Sequence, residues 1–109
     1  MKMARLIQTA PIPIATQVVQ LGGVNYSLTT RWNDRASAWI LDVALEDGTP
    51  LASGLALRAG QAVGSFIRRL PGGWPGMLFC EDTSGRDLDP GFQDLGTRVR
   101  LVYVTAEEL

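Results

Sequence analysis

Apolar residues recur at almost every second position between Gln17 and Leu57, and short turn sequences separate the runs. Because side chains of a strand point alternately to opposite faces, this pattern predicts strands with one buried face. The positions of the buried parity are Val24, Tyr26, Leu28, Trp32, then Trp39, Leu41, Val43, Leu45, and finally Leu51, Ser53, Leu55 and Leu57. Parallel strands buried on both faces would read as continuous apolar runs, so the alternation predicts an antiparallel meander.

Turn residues divide the chain into predicted strands. Gly22-Gly23 and Asp47-Gly48 are typical of tight hairpin turns, because such residues accept positive φ. The predicted strands cover 17–21, 24–32, 37–46, 50–58, 77–80 and 97–105, and the polar segment 81–95 is predicted to be a loop. Residues 61–70 fit either a short helix or a strand, and the spacing of their apolar residues favours the helix.

The chain length and its prolines predict the domain organisation. A chain of 109 residues can bury one core, and we expect a single β domain over 15–109. Pro11 and Pro13 favour an extended N-terminal arm over 1–14. The predicted fold is all-β, a small sandwich or partly open barrel. Its predicted core consists of Trp32, Trp39, Leu41, Val43, Leu55, Leu57, Val99, Leu101 and Tyr103.

Composition removes several classes of function. Ten basic and eleven acidic residues give a net charge of -1, which argues against a simple electrostatic partner such as nucleic acid or an anionic membrane. No apolar run approaches the roughly 20 residues that span a bilayer, and Gln8 and Pro11 interrupt any signal-peptide core, so we expect a soluble protein. The lone cysteine, Cys80, excludes an internal disulfide.

Candidate chemistry is sparse. The chain has no histidine, which removes histidine-based triads and zinc sites. Cys80 lies in an apolar strand, where a buried structural thiol is favoured. Four carboxylates share the loop over 81–95 and would suit calcium, but they have no EF-hand spacing, so a solvated loop is favoured; they are Asp82, Asp87, Asp89 and Asp94. We therefore predict no enzymatic activity, no cofactor and no metal site.

Aromatic and basic residues leave two alternatives open. Trp32 and Trp39 flank a turn on the inward parity, which predicts a cross-strand pair. Trp74 lies on a loop of glycines and prolines, where it is either a lid over the core or an exposed anchor for another chain. Two arginine pairs, Arg68-Arg69 and Arg98/Arg100, would form a basic stripe if they met Trp74, although alternation favours an ordinary outer face for the second pair.

The order and spacing of several segments resemble the small baseplate plug proteins of contractile-tailed bacteriophages and prophages. The similar segments are Gln17 to Leu28, Arg31 to Asn33, Trp39 to Val43, Asp47 to Leu51 with Gly54, and Leu95 to Tyr103. The resemblance implies a structural virion component in the tail baseplate, seated at its central hub and made in the cytoplasm of a bacterial host. It implies contacts with other tail proteins such as hub, spike and tube, and leaves self-association open.

Partner contacts are expected from the extended N-terminal arm, from the Trp74 loop and from the exposed edges of an incomplete sheet, which offer unpaired backbone groups to neighbouring chains. Ile12 lies between Pro11 and Pro13, and Ile14 follows Pro13. If this segment lay on a neighbouring protein, the apolar area of both isoleucines would be buried. Trp74 would serve as a rigid anchor. The alternative function is a small OB-like barrel that binds single-stranded nucleic acid, which would show one basic face. A small hydrolase that uses the acidic loop is a further rival.

Overall fold

The structure, a computed structural model, describes residues 5–108 and is all-β. Within these residues the strands are β1 (Arg5–Ile7), β2 (Ile14–Leu21), β3 (Val24–Asn33), β4 (Ala38–Leu45), β5 (Pro50–Ala56), β6 (Gln61–Val63), β7 (Met77–Asp82) and β8 (Val99–Val104). Short 3-10 helices cover Ser65–Arg69, Phe92–Asp94 and Ala106–Glu108. Every pair of neighbouring strands is antiparallel, so the predicted fold class is confirmed.

The strands form two four-stranded sheets packed as a small sandwich. Sheet I has the order β1-β8-β7-β6, and sheet II has the order β2-β3-β4-β5. The chain crosses between the sheets at residues 8–13 and again at 57–60. At the first crossing the Arg5 guanidinium donates to the backbone oxygen of Gln20, and the Gln17 side chain donates to that of Gln8. These bonds join the β1 side of sheet I to the β2 side of sheet II.

Sheet II is the meander that the alternation predicts. Gly22 and Gly23 have φ of 62° and 84°, and they close the β2–β3 hairpin at the pair Leu21 and Val24. Trp32 and Trp39 are direct partners across β3 and β4, with ring centroids 5.6 Å apart in an edge-to-face arrangement. The predicted tryptophan pair is therefore confirmed.

A bulge in β5 changes which of its residues face the core. Leu41 pairs with Leu55 and Val43 pairs with Ala52, so β5 uses one more residue than β4 over this stretch. The bulge includes Gly54, which has a φ of 72° and whose N–H donates to Asp42 Oδ1 over 2.9 Å. The single alternating register predicted for 50–58 is wrong here, because the extra residue shifts the strand by one position.

Part of the predicted N-terminal arm belongs to sheet I. Residues 1–4 lie outside the described part, but Arg5–Ile7 pairs with β8 through Arg5 and Tyr103, Leu6 and Val102, and Ile7 and Leu101. Ile7 is 2% exposed and lies in the core. The arm that was predicted over 1–14 is thus a strand at residues 5–7 and a crossing segment at 8–13.

Residues 61–70 contain both of the elements that the sequence left open. Gln61–Val63 pairs with β7, and after Gly64 the chain makes one 3-10 helix, Ser65–Arg69. Ile67 points from this helix into the core and is fully buried. A short helix is therefore present, but it begins later than position 61.

The core between the sheets contains the predicted residues. Seven of the nine are buried, and the other two, Trp32 and Leu55, are partly buried against the same cluster. The segment between β7 and β8 also contributes, because Phe92 stacks on Trp39 at 5.6 Å and Trp39 Nε1 donates to Gly91 O. This segment, predicted to be a polar loop, is therefore anchored to the core.

Candidate interaction surface

Ile12 and Ile14 are exposed at the start of sheet II. Their exposed fractions are 51% and 63%, and Val18, four residues further along β2 than Ile14, is 54% exposed. Ile14 and Val18 share the outer parity of β2 with Thr16, because residues two apart on a strand face the same side. The two isoleucines are therefore accessible, and their predicted contact with a partner stays a prediction.

Trp74 is a lid over the core. Its side chain is 1% exposed, and its ring packs edge-on against Tyr26 at 5.2 Å and Tyr103 at 6.5 Å. The loop around it is tight, since the Tyr26 hydroxyl donates to Gly72 O over 2.8 Å and a Cβ at Gly73 would overlap the Ile67 carbonyl. The exposed-anchor interpretation is wrong for this conformation, because the indole has almost no accessible surface.

A row of apolar side chains crosses the outer face of sheet I. Directly opposed residues on paired strands lie on the same face, and the register joins Leu6 to Val102, Val102 to Phe79, and Phe79 to Ala62. Leu6 is 50% exposed, and the other three are partly exposed. We call these four residues the apolar row. It spans all strands of sheet I on the side away from the core.

The apolar row has an apolar neighbour on one side and charged side chains on the other. Val104 and Met77 form the neighbouring pair on one side, and on the other side Arg100 donates to Glu81 over 2.7 Å. A shallow depression of about 450 Å³ lies over Phe79, Val102 and Val104, and Asp87 lines it as well. Exposed apolar patches are typical of surfaces that contact another protein.

The acidic loop is organised around one arginine. Arg98 binds the carboxylates of Asp82 at 2.7 Å and Asp94 at 3.1 Å, and it also donates to the backbone oxygens of Leu88 and Asp89. The prediction of a solvated loop is wrong for Asp82, whose side chain is fully buried. These carboxylates have a structural partner, and within residues 5–108 no group of three or more metal-ligand side chains is assembled.

Asp82 is held in its charged form. Burial raises its pKa, but hydrogen bonds from the Leu88 N–H and from the Ser84 hydroxyl and N–H, together with the charge of Arg98, outweigh it. The resulting pKa is about 2, below the ordinary 3.8. The ionised carboxylate therefore fastens the start of the loop, and its low pKa is explained by structural hydrogen bonds.

The thiol of Cys80 is buried, as predicted. Its residue is 1% exposed, and burial, with the nearby charges of Asp89 and Asp82, raises the pKa of the thiol from 9.0 to about 12. A thiol with this pKa is protonated at neutral pH and is a poor nucleophile. Cys80 thus has the environment of a core residue.

Trp74 offers no exposed ring to the basic stripe that the arginine pairs would have formed beside it. Arg98 and Arg100 are paired with carboxylates, and Arg31 and Arg58 are paired with Asp42 and Asp89. Trp74 is buried and offers no ring for a base to stack on. The stripe around an exposed Trp74 is therefore not formed in the described residues, although Arg68 and Arg69 are exposed on the 3-10 helix that also carries Phe66. Residues 5–108 also contain no helix that is long and apolar enough to cross a membrane.

Sequence reasoning missed Leu6, Phe79 and Val102 as candidate contact residues. A signal was present, because 77–80 and 101–104 are apolar at both parities, as in strands that are buried on both faces. One face of each strand is covered by the core of this domain, and the other face has no cover within the described chain. The apolar residues on the second face of these two strands were the sequence signal that could have located this surface.

Comparison with known proteins gives one family. A family model described as "Cyanophage baseplate Pam3 plug gp18" matches residues 5–107 of this chain. A search of the curated proteins finds no match. The matched region includes every strand of both sheets, together with the apolar row.

Proposed function

Because the chain belongs to the cyanophage baseplate plug family, we propose that it is a structural subunit of a phage tail baseplate that occupies the central hub. The match over 5–107 carries this proposal, since it covers nearly the whole chain. The chemistry agrees with a structural part. Cys80 is buried and protonated, and the carboxylates of Asp82 and Asp94 are engaged by Arg98. We therefore propose a non-enzymatic role that needs no cofactor or metal.

The apolar row is the proposed contact with neighbouring tail proteins. Leu6 and Phe79 lie on the outer face of sheet I, so a partner can cover them without any rearrangement of the core. Covering such side chains removes apolar area from water, at about 25 cal/mol per Å² buried. Ile14 on β2 and Ile12 in the crossing segment before it are proposed as a second contact. Hub, spike and tube proteins are the partner classes that this position would bring within reach.

The proposal is tested by adding charge to the apolar row. We expect Leu6→Glu and Phe79→Glu to fold normally and to be lost from tails assembled by co-expression of the complete set of tail genes. A carboxylate buried in an interface without a partner costs several kcal/mol, which is enough to prevent stable docking. Incorporation is measured by the amount of chain in purified tails, and cryo-electron microscopy of the same tails locates it.

A matched control separates the apolar row from general effects of a new charge. Val24 is also an exposed apolar residue, at 42%, but it lies on β3 of sheet II. Val24→Glu should be incorporated like the wild type. If the wild-type chain were absent from purified tails, the baseplate role would be wrong. If both row variants were incorporated normally, the apolar row would be dropped as the contact surface.

A further inference from the structure

One edge of β2 has its backbone groups available for another strand. Within residues 5–108, β2 pairs only with β3. Pro13 O accepts from Trp32 N–H over 2.9 Å, and because ladder bonds alternate, the odd-numbered residues of β2 bond to β3. The N–H and C=O groups of Ile14, Thr16 and Val18 therefore point away from sheet II, toward the open edge.

The open edge has defined ends. On one side it is bounded by Pro11 and Pro13, which have no N–H to offer. On the other side the Arg5 guanidinium already occupies the carbonyl of Gln20. What is left is a segment of five residues, 14–18, that presents backbone donors and acceptors at every second position.

This edge lacks the charges with which soluble proteins block unwanted strand pairing. Native edge strands are commonly protected by lysine or other charged side chains. Residues 8–30 contain no Asp, Glu, Lys or Arg, although the whole chain has 21 charged residues, ten basic and eleven acidic. The side chains beside the open edge are Ile14, Thr16 and Val18, all exposed. The segment is thus unprotected and uncharged.

We propose that an extended, uncharged segment of a neighbouring baseplate protein adds to β2 as a further strand along residues 14–18. The inference rests on the proposed function, because it needs a baseplate neighbour. Backbone groups in this array recognise a strand, and the apolar side chains of Ile14 and Val18 select uncharged residues at alternate positions. A strand addition would also bring the exposed Ile12 close to the same neighbour.

A protein of the assembly fits this edge better than a second copy of the chain. A specific interface between two free proteins needs about 1,000 Å² of buried area, and one five-residue strand edge, roughly 17 Å long, is too small to supply it alone. The same few hydrogen bonds are enough for stable strand pairing when other contacts already hold the neighbouring protein in place. The neighbour's segment is then present at a high effective concentration, as in an intramolecular reaction.

Amide hydrogen exchange tests the strand addition directly. In the isolated chain, the amides of Thr16 and Val18 should exchange quickly, while those of Ala15, Gln17 and Val19, bonded to β3, should exchange slowly. In purified tails, the amides of Thr16 and Val18 should slow by about tenfold or more, because each gains a ladder partner. Mass spectrometry with residue-level fragmentation measures both samples.

Two substitutions and one matched control extend the test. Val18→Pro removes an N–H that the domain itself does not use, and Thr16→Lys places a charge on the open edge. Thr29 lies opposite Thr16 on the central strand β3, and their hydroxyls are 2.8 Å apart, so Thr29→Lys loses the same contact and adds the same charge away from the edge. We expect both edge variants to fold and to fall below about a tenth of wild-type incorporation, while Thr29→Lys keeps most of it.

The outcomes separate this inference from the proposed function. If the chain were present in tails with Thr16 and Val18 amides as fast as in solution, the strand addition would be overturned and the baseplate role would stand. If the chain were absent from tails, both would fall. If Thr16 and Val18 became protected in the isolated chain as its concentration rose, the occupant would be a second copy, which overturns the partner we name.

Discussion

Replacing Trp74 with alanine measures how much of the domain depends on its lid. The indole is 1% exposed and contacts two other buried rings, Tyr26 and Tyr103. Removing a buried tryptophan leaves a cavity and typically costs about 3–5 kcal/mol. The free energy of unfolding of a small domain is about 5–15 kcal/mol, so Trp74→Ala should lose a large part of it.

Urea unfolding followed by far-ultraviolet circular dichroism is the suitable assay, since the other two tryptophans would confuse a fluorescence signal. A loss of stability should appear as a lower urea midpoint with a nearly unchanged slope. Phe66 is the control, because it is an aromatic residue of the preceding segment that is 46% exposed. Phe66→Ala should change the free energy of unfolding by less than about 1 kcal/mol.

The opposite result would restore the interpretation of Trp74 as an exposed anchor. If Trp74→Ala cost no more than Phe66→Ala, the indole would not be part of the core in solution. A folded Trp74→Ala protein that was lost from tails would then identify the loop as a partner contact. The stability of the isolated domain therefore has to be measured before any assembly experiment on this residue is interpreted.

Two further predictions concern the N-terminal strand and the acidic loop. Ile7→Ala should cost about 2–5 kcal/mol in urea unfolding, because Ile7 is 2% exposed; a neutral result would show that β1 is not docked on β8. Asp82 has its pKa lowered from 3.8 to about 2, so its stabilising effect is complete above about pH 5 and is lost progressively as the pH falls to 2 and below. The urea midpoint of the wild type should therefore fall toward that of Asp82→Asn across this window, and a constant difference down to pH 2 would contradict the low pKa.

The meander of sheet II was predictable from local sequence. Gly22-Gly23 and Asp47-Gly48 define tight turns, and the strands between them alternate cleanly, so the tryptophan pair and most of the buried face of β3 and β4 followed from parity alone. Local information was sufficient because each strand of this sheet pairs with its neighbour in sequence. The bulge at Gly54 was the exception, because the sequence pattern continues past it without any sign of the extra residue.

The arrangement of sheet I could be decided only by the tertiary structure. β1 pairs with β8 at the far end of the chain, and the three residues of β1 carry too little pattern to predict such a pairing. Trp74 lies in a loop without a periodic pattern of apolar residues, so the sequence could not reveal that its side chain is buried. β7 is apolar at both parities over 77–80, so parity could not say which of its faces meets the core, whereas the inward Val99, Leu101 and Tyr103 of β8 were predicted and are buried. Long-range packing made those choices, because only the closed core between the two sheets distinguishes inward from outward in strands whose two faces are chemically alike.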